Sequence, residues 1–382
     1  MQAPLKRPPL RELAAIFLKL GTVTFGGPAA QIAMMEDELV RRRAWVSAEE
    51  FLDLLAIANL LPGPSATEVG IFIGYRLGGV AGLVISGTCF ILPAFLMVTA
   101  IAWAYVRYGH LPAVGGLLYG VKPIVIAIVL QALWRLGRSA IKSRCLAGIG
   151  LAALLASLLG ANPLVVLLGA AVLVAITYQA RHRSDKLLPM AGLVPILPMA
   201  ASTVASATLT GIFLVFLKLG SVVFGSGYVL LAFLRSDLVT NRHWLTESQL
   251  LDSVAVGQVT PGPVFTTASF IGYILGGPKG AVVATVGIFS PAFLFVALAH
   301  PLVKILRRSK LAGAVLDGLN VAALALMASV TFQLGQTAIV DGVTGALAVG
   351  SAILLFRYKL NPTWLIASGA AVGLVRKLAA LS

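Results

Sequence analysis

Charged residues are scarce in this chain. Only 11% of its 382 residues are charged, whereas 59% are hydrophobic, and the mean hydropathy is +0.95. A soluble domain carries about 25% charged residues, so most of this chain cannot face water. Several windows contain no charge over the roughly 20 residues that a helix needs to cross a bilayer. These windows are residues 77–106, 145–180, 187–217, 253–278 and 318–340.

The groups that carry metal, redox and hydrolytic chemistry are also few. The two cysteines, Cys89 and Cys145, have no metal-ligand spacing, and no pair of the four histidines has such a spacing either. Neither a disulfide framework nor a thiolate site is indicated. A Ser-His-Asp arrangement and a glycine-rich nucleotide signature are both missing. We therefore expect no enzyme activity, no cofactor and no metal site.

The net charge of +15 does not indicate nucleic-acid binding, because the basic residues occupy short loops between apolar segments. That distribution is typical of cytoplasmic loops in a membrane protein. The loops in question contain Arg138, Lys142 and Arg144; Arg181, Arg183 and Lys186; and Lys304, Arg307, Arg308 and Lys310. The apolar windows are continuous rather than alternating, which favours helices over strands. The sequence therefore predicts an all-α polytopic membrane protein in a lipid bilayer.

The sequence contains an internal repeat that divides it into two similar halves. FLKLGTVTFGG (17–27) recurs as FLKLGSVVFGS (216–226), and Trp45 recurs as Trp244. Pro-Gly-Pro at 62–64 returns at 261–263, and IGYRLGG (73–79) returns as IGYILGG (271–277). Chance similarity of apolar helices would not keep Gly, Pro and Trp in register. We predict an N-terminal repeat at 1–186, a linker at 187–202 and a C-terminal repeat at 203–382.

Loop charges predict that the two repeats are inverted relative to each other. The loop at 107–112 is nearly neutral, whereas its counterpart at 304–310 is basic. The next pair reverses this bias, with basic residues at 138–144 and none at 336–341. By the positive-inside rule, equivalent loops lie on opposite faces. Arg376 and Lys377 fit this pattern less well. The number of spans is expected to be about ten to twelve, because the Pro-Gly-Pro segments either cross the bilayer or re-enter from one face.

Pro-Gly-Pro breaks an apolar segment in each repeat, although proline inside a helix costs roughly 3 kcal/mol or more. Non-helical backbone survives at membrane depth only where it is buried in protein or lines a wet cavity. Inverted repeats with discontinuous helices are typical of secondary transporters. A helix that restarts near Ser65 presents unpaired amides and a partial positive charge, which favour an anion.

We predict that the anion site is built from glycines, from the two breaks and from the hydroxyl and amide groups beside them. Its residues are Gly26, Gly27, Pro62, Gly63, Pro64, Ser65, Thr67, Gly225, Ser226, Gly227, Gln258, Pro261, Gly262, Pro263, Thr266 and Thr267. Lys19 and Lys218 lie at matching places in apolar helices and would compensate the anion's charge. Glu68 and Glu36 are candidates for ion coupling and gating.

Each assignment has a structural alternative. Ser65 to Glu68 also reads as a capping box, in which Glu68 only pairs with a backbone amide. Hydroxyls in membrane helices often bond a neighbouring helix, and Lys19 and Lys218 could instead snorkel to an interface. Glu36, Asp37 and Glu38 also read as a solvated face.

Read together, these elements resemble the chromate ion transporter family in its long, two-domain form. The resemblance rests on Phe-Gly-Gly-Pro at 25–28, Leu-Pro-Gly-Pro at 61–64 and Ile-Gly-Tyr at 73–75, all doubled over essentially the full length. It assigns the family's glycine-proline motifs to Gly26, Gly27, Pro62, Gly63 and Pro64. The second copy departs at Ser226 and Gly227.

The resemblance implies export of chromate from the cytoplasm across the inner membrane of a bacterium. It also implies an ion gradient, expected to be protons, as the driving force and sulfate as a mimic or competitor. Without the resemblance, the residues predict only that the protein carries an anion, not which anion. Uptake of sulfate, a passive anion channel and a homodimeric assembly stay open.

Overall fold

Every regular element in the described part of the chain is a helix. The computed structural model describes residues 8–24, 27–109, 111–181, 207–224, 227, 229–299, 310–358 and 360–379. The first half contains α1 (Leu10–Val23), α2 (Gly27–Met35), a π-helix (Glu36–Arg42), α3 (Ala48–Ala58), α4 (Ser65–Tyr108), α5 (Pro112–Ala140), α6 (Arg144–Leu158) and α7 (Pro163–Arg181). The second half contains α8 (Leu209–Val222), α9 (Leu230–Leu234), a second π-helix (Arg235–Asn241), α10 (Glu247–Val259), a 3₁₀ turn (Val264–Thr266), α11 (Thr267–Ala299), α12 (Lys310–Ala338), α13 (Gly342–Arg357) and α14 (Pro362–Ala379).

The two halves run through the same series of elements, in agreement with the sequence repeat. Even the π-helical turns recur at equivalent places, although π-helices are rare. Proline begins both α7 and α14, where its missing amide costs nothing because the first helical amides are unpaired in any case. The predicted linker at 187–202 and the repeat boundaries on either side of it lie outside the described residues.

The first two helices of each half form a hairpin rather than a crossing. Nη1 of Arg43, which follows the first π-helix, lies 2.6 Å from Oε1 of Glu12 at the start of α1. The chain therefore enters along α1 and returns along α2 to the same level. We call this element hairpin 1 (10–42) and its counterpart hairpin 3 (209–241). In hairpin 3, a Cβ on Gly211 would lie 3.3 Å from the ring of Trp244, so the start and the end are again adjacent.

The Pro-Gly-Pro break lies at the tip of a second hairpin. Nε of Arg76 lies 2.6 Å from Oε1 of Glu50, so the end of the short segment 65–77 reaches the start of α3. Gly78 and Gly79 then leave helical geometry, with φ of −133° and 59°, and the chain reverses again. Residues 80–108 form the long part of α4. We call residues 48–77 hairpin 2. The equivalent residues 247–275, which are followed by the non-helical Gly276 and Gly277, are called hairpin 4.

Contacts between the halves show that equivalent hairpins open in opposite directions. The long part of α4 begins beside hairpin 1, where a Cβ on Gly82 would lie 3.6 Å from Leu13. It ends beside hairpin 4, where Tyr105 donates to Asp252 over 2.9 Å. A helix of this length rises about 1.5 Å per residue, so the open ends of hairpins 2 and 4 lie on opposite faces. Lys142, between α5 and α6, meets Asp317 near the start of α12, as the same inversion requires.

Among the described residues, four helices are long and apolar enough to cross a membrane, namely α4, α5, α11 and α12. Shorter apolar helices are α6, α7, α8 and α13. Large apolar side chains such as Leu96, Trp103 and Trp134 are exposed on the long helices, as expected for a lipid-facing surface. The range of ten to twelve crossings stays a prediction. It depends on the half-length hairpins, which return to the face from which they enter.

Candidate functional site

The two Pro-Gly-Pro tips meet the opposite half of the molecule at its centre. Gly63 donates its amide hydrogen to the carbonyl oxygen of Val223 over 2.7 Å, and Pro62 pairs with Phe224 in an isolated bridge. Gly262 donates in turn to the carbonyl oxygen of Thr24 over 3.0 Å. Each tip thus contacts the inner end of the first helix of the other half. This reciprocity is typical of two-fold related units.

Both tip glycines have backbone conformations that L-residues rarely adopt. The φ angle is +138° at Gly63 and +92° at Gly262. Side chains would also have little room there, because a Cβ on Gly63 would collide with Oε1 of Glu68 and one on Gly262 would lie 2.6 Å from Cβ of Ala94. The flanking prolines, Pro62 and Pro64 or Pro261 and Pro263, restrict the chain on either side. The tips are consequently rigid, and their central amides are already hydrogen bonded.

A helix N-terminus lies immediately behind the first tip, as the sequence predicts. α4 begins at Ser65, and its first amide bond runs from Glu68 to the carbonyl oxygen of Pro64 over 3.0 Å. The amides ahead of Glu68 therefore have no acceptor within the helix. The hydroxyl of Thr67 is buried and has no hydrogen-bond partner within the described part of the chain. Ser65 and Thr67 thus lie together at a buried helix start that suits an anion.

Glu68 is buried in full at the same helix start. Its exposed fraction is 0%, and neither carboxyl oxygen has a hydrogen-bond partner among the residues that the structure describes. The predicted capping box is wrong, because Pro64 occupies the cap position and no side chain caps the helix. The Glu68 side chain lies instead against Gly63, where the lack of a Cβ makes space for its Oε1 atom.

The second break differs from the first in its hydrogen bonding. The chain restarts through the 3₁₀ turn, and α11 begins at Thr267. Thr266 donates its hydroxyl to the carbonyl oxygen of Pro263 over 2.7 Å, and Thr267 donates to Val264 over 2.8 Å. Both hydroxyl hydrogens are therefore bonded to local backbone, unlike that of Thr67. Anion binding by Thr266 and Thr267, as predicted from the sequence, would require these bonds to exchange.

A small cavity lies beside the second break. Gly227, Gln258, Val264 and Thr267 line it together with Leu230, Leu231, Leu234 and Val254. Its volume of about 10 Å³ suits a single water molecule and is smaller than a tetrahedral oxyanion. The structure thus brings three predicted site residues, Gly227, Gln258 and Thr267, to one place without an open anion pocket.

Lys19 and Lys218 are paired with carboxylates. Lys19 Nζ lies 3.1 Å from Oε2 of Glu38, and Lys218 Nζ lies 2.9 Å from Oδ2 of Asp237 at the equivalent position. The prediction that Glu38 belongs to a solvated face is wrong, because only 7% of the residue is exposed. Burial follows from the π-helical turn, which directs this carboxylate toward Lys19 and Arg43. Glu36 is more exposed and pairs with Arg41.

Sequence reasoning missed two polar contacts at the centre and at the interface between halves. The buried amide of Gln31 donates to the carbonyl oxygen of Gly262 over 2.6 Å, so α2 also supports the second tip. Gln31 is the only polar side chain in α2. A single polar residue in an apolar helix is the sequence feature that could have indicated a buried hydrogen bond. Buried Asp252 lies 3.2 Å from Nζ of Lys122, and nothing in their spacing connects these two residues.

Other predicted residues are placed as follows. Gly27 begins α2 with φ of +78°, a value that suits a sharp turn at the tip of hairpin 1. Gly26, Gly225 and Ser226 lie outside the described residues.

Comparison with known proteins identifies relatives over nearly the whole chain. The chromate transporter family profile matches residues 11–175 and again residues 210–374. The "Chromate transport protein" of Cupriavidus metallidurans is 35% identical over 372 residues, which cover 96% of this chain and 93% of the relative. The protein of the same name from Pseudomonas aeruginosa is 34% identical over 381 residues, covering 95% and 91% of the two chains. An uncharacterized transporter of Methanocaldococcus jannaschii is 26% identical over 360 residues, 90% of this chain and 88% of the relative. No solved structure matches.

Proposed function

Because the chain belongs to the chromate transporter family, we propose that it exports chromate across the bacterial cytoplasmic membrane by secondary active transport. It is a multi-pass membrane protein and a transporter rather than an enzyme. Chromate is the proposed substrate because the named relatives are chromate transport proteins. Sulfate, a tetrahedral dianion of similar size, is the expected competitor.

The observation that carries this proposal is the meeting of the two tips from opposite faces. Gly63 is bonded to Val223, and Gly262 is bonded to Thr24, so each tip is linked to the hairpin of the other half. Secondary transporters bind substrate near the midplane at discontinuous helices of inverted repeats. Hairpins 1 and 2 would close the site from one face and hairpins 3 and 4 from the other.

The anion would bind first at the break in the first half. The start of α4 provides amides without helical acceptors, and Thr67 provides a buried hydroxyl that has no partner among the described residues. Together they favour a doubly charged oxyanion, since the helix dipole adds partial positive charge at the same end. Entry of chromate would require the tips to separate, because the cavity of about 10 Å³ beside the second break is too small to hold it.

The distribution of basic residues between the two faces supports export. Arg41, Arg42, Arg138, Lys142 and Arg144 belong to the face at which hairpins 1 and 2 open. By the positive-inside rule, that face is cytoplasmic. The membrane potential, negative inside, would then expel an anion that enters between hairpins 1 and 2.

Everted membrane vesicles offer the direct test. When energised, vesicles with this protein should accumulate labelled chromate, and unlabelled sulfate should compete. Variants P62A and P261A should lose this uptake because each changes a tip. P362A, at the first position of α14, serves as the matched control, since proline is dispensable at a helix start.

The same vesicles separate the alternatives. A carrier shows saturation and counterflow, whereas a channel shows neither. If energised vesicles lose preloaded chromate instead of gaining it, export is wrong. Growth on limiting sulfate, compared in cells with and without the protein, would then test sulfate uptake.

A further inference from the structure

Glu68 is the feature of the central region that anion binding alone does not explain. A negative charge beside an anion site opposes the anion, so a carboxylate here is unfavourable for binding. The group is nevertheless buried in full at the helix start that suits the anion. Its two oxygens have no hydrogen-bond partner among the described residues. An unpartnered buried carboxylate is costly, whereas its protonated form costs far less.

The helices packed against α4 carry few charges that could offset that of Glu68. The charged residues on these helices are Arg11, Glu12 and Lys19 on α1, Glu49, Glu50 and Asp53 on α3, Glu247 and Asp252 on α10, and Lys279 on α11. Lys19 and Asp252 are held in ion pairs of their own. On the same helix, Arg76 pairs with Glu50 at the open end of hairpin 2. Within the described part of the chain, no side chain forms a hydrogen bond with the Glu68 carboxyl.

The equivalent position in the second half cannot ionise in this way. Thr267 follows the second Pro-Gly-Pro at the same offset as Glu68 follows the first, and its hydroxyl is bonded to Val264. The two tips therefore contribute one acidic group in total. The two tips can therefore bind at most one proton at an acidic side chain.

We propose that Glu68 binds one proton for each chromate dianion that binds and releases it with the dianion on the other side, so that each transport cycle moves one net negative charge. This inference rests on the proposed function. It identifies the proton as the coupling ion and Glu68 as the residue that binds it, and it has proton and chromate move in the same direction. Repulsion between the dianion and an ionised Glu68 makes the two binding events cooperative, because neutral Glu68 admits the anion more readily. By linkage the anion then strengthens proton binding by the same factor.

The sign of this coupling has a consequence for the driving force. Proton and anion move in the same direction, so the membrane potential drives export, whereas an inward pH gradient opposes it. A tenfold chromate gradient is then balanced by about 59 mV, since one net charge moves. If the dianion moved alone, about 30 mV would balance it.

The first experiment uses the wild-type protein in proteoliposomes at an alkaline pH at which chromate is a dianion. Chromate flux is followed while a potassium gradient with valinomycin sets the membrane potential. We expect a reversal potential near 59 mV per tenfold gradient and proton movement with chromate, reported by an internal pH dye. A value near 30 mV without proton movement would overturn the inference. Absence of any chromate flux would instead contradict the proposed function.

The second experiment assigns the proton to Glu68 without requiring turnover. Chromate binding to the detergent-solubilised protein is measured as a function of pH. We expect wild-type affinity to fall about tenfold per pH unit on the alkaline side, because one proton binds with the anion. E68Q should bind chromate with an affinity independent of pH in that range, and the exposed Glu49, replaced in E49Q, should leave the wild-type profile unchanged. An E68Q profile like that of the wild type, or a folded E68Q that binds no chromate, would show that Glu68 does not carry the proton.

Discussion

Lys19 donates a hydrogen bond to Glu38 over 3.1 Å, and Lys218 donates one to Asp237 over 2.9 Å at the equivalent place. Each lysine is thus neutralised within its own hairpin. A lysine that enters apolar surroundings with its counter-charge needs no anion to stabilise it. Compensation of chromate by Lys19 and Lys218, which we propose on sequence grounds, therefore requires these ion pairs to open during transport.

We predict an acid-dependent loss of stability that depends on Glu38. Burial of this carboxyl raises its pKa, but hydrogen bonds from Arg43 and Lys19 outweigh that effect, and the pKa lies below the ordinary 4.5. The stabilisation is therefore complete above pH 4.5 and is lost as the pH falls through the lower folded-state pKa. E38Q should lose about 1.5–3 kcal/mol at neutral pH, because a hydrogen bond to a charged group contributes that much.

Thermal unfolding in detergent as a function of pH checks this prediction. The difference between wild type and E38Q should shrink on acidification below pH 4.5. E36Q is the control, since Glu36 pairs with Arg41 at the surface. A wild-type to E38Q difference that stays constant on acidification would contradict the assigned pKa direction.

Opposite orientation of the halves predicts opposite labelling of two equivalent cap residues. Ser47 caps α3 and Thr246 caps α10, so the two residues mark the open ends of hairpins 2 and 4. In a background without Cys89 and Cys145, a membrane-impermeant thiol reagent should label S47C only from the cytoplasmic side and T246C only from the other side. Right-side-out and everted vesicles provide the two sides. Labelling of both variants from one side would refute the inversion.

The buried ion pair between Lys122 and Asp252 predicts that replacement of Lys122 strongly lowers the free energy of unfolding. Its side chain is 17% exposed and that of Asp252 is 3% exposed, and the two lie 3.2 Å apart. K122M should destabilise the protein by about 3 kcal/mol, because it leaves a buried carboxylate without its cation. The double variant K122M/D252N should regain part of this loss. K142M removes a far more exposed partner, that of Asp317, and should cost at most about 1 kcal/mol. Equal effects of K122M and K142M would contradict the assigned burial.

Replacement of Gly63 should impair both folding and transport. G63A places a Cβ against Oε1 of Glu68 and imposes a φ of +138° on an L-residue. Strained backbone of this kind costs about 1–3 kcal/mol. The double variant G63A/E68A should recover only part of the stability, since the collision disappears but the strain remains. G115A, in α5 with open space around the new methyl group, should be neutral or slightly stabilising. Full recovery in the double variant would show that φ contributes nothing.

The repeat, the helix starts and the equivalence of the tips could all be predicted from the sequence, because Gly, Pro and Trp mark them. The hairpins could not. The contact between Glu50 and Arg76 joins residues 26 positions apart, and no local pattern relates them. Gly78 and Gly79 reverse the chain within an apolar stretch, and no charge or proline at these positions marks the reversal in the sequence. The hydroxyl bonds of Thr266 and Thr267 depend on a 3₁₀ turn that arises from the local backbone.

Main-chain atoms alone form the bonds from Gly63 to Val223 and from Gly262 to Thr24. Such bonds make no demand on side-chain identity beyond glycine at each tip. A duplicated unit joined in this way can diverge without losing the register between its copies. Glu68 and Thr267 illustrate this divergence. One copy has a buried acid, and the other has a hydroxyl bonded to the carbonyl oxygen of Val264. Two equal ancestral halves can in this manner acquire different duties while the scaffold that joins them stays symmetrical.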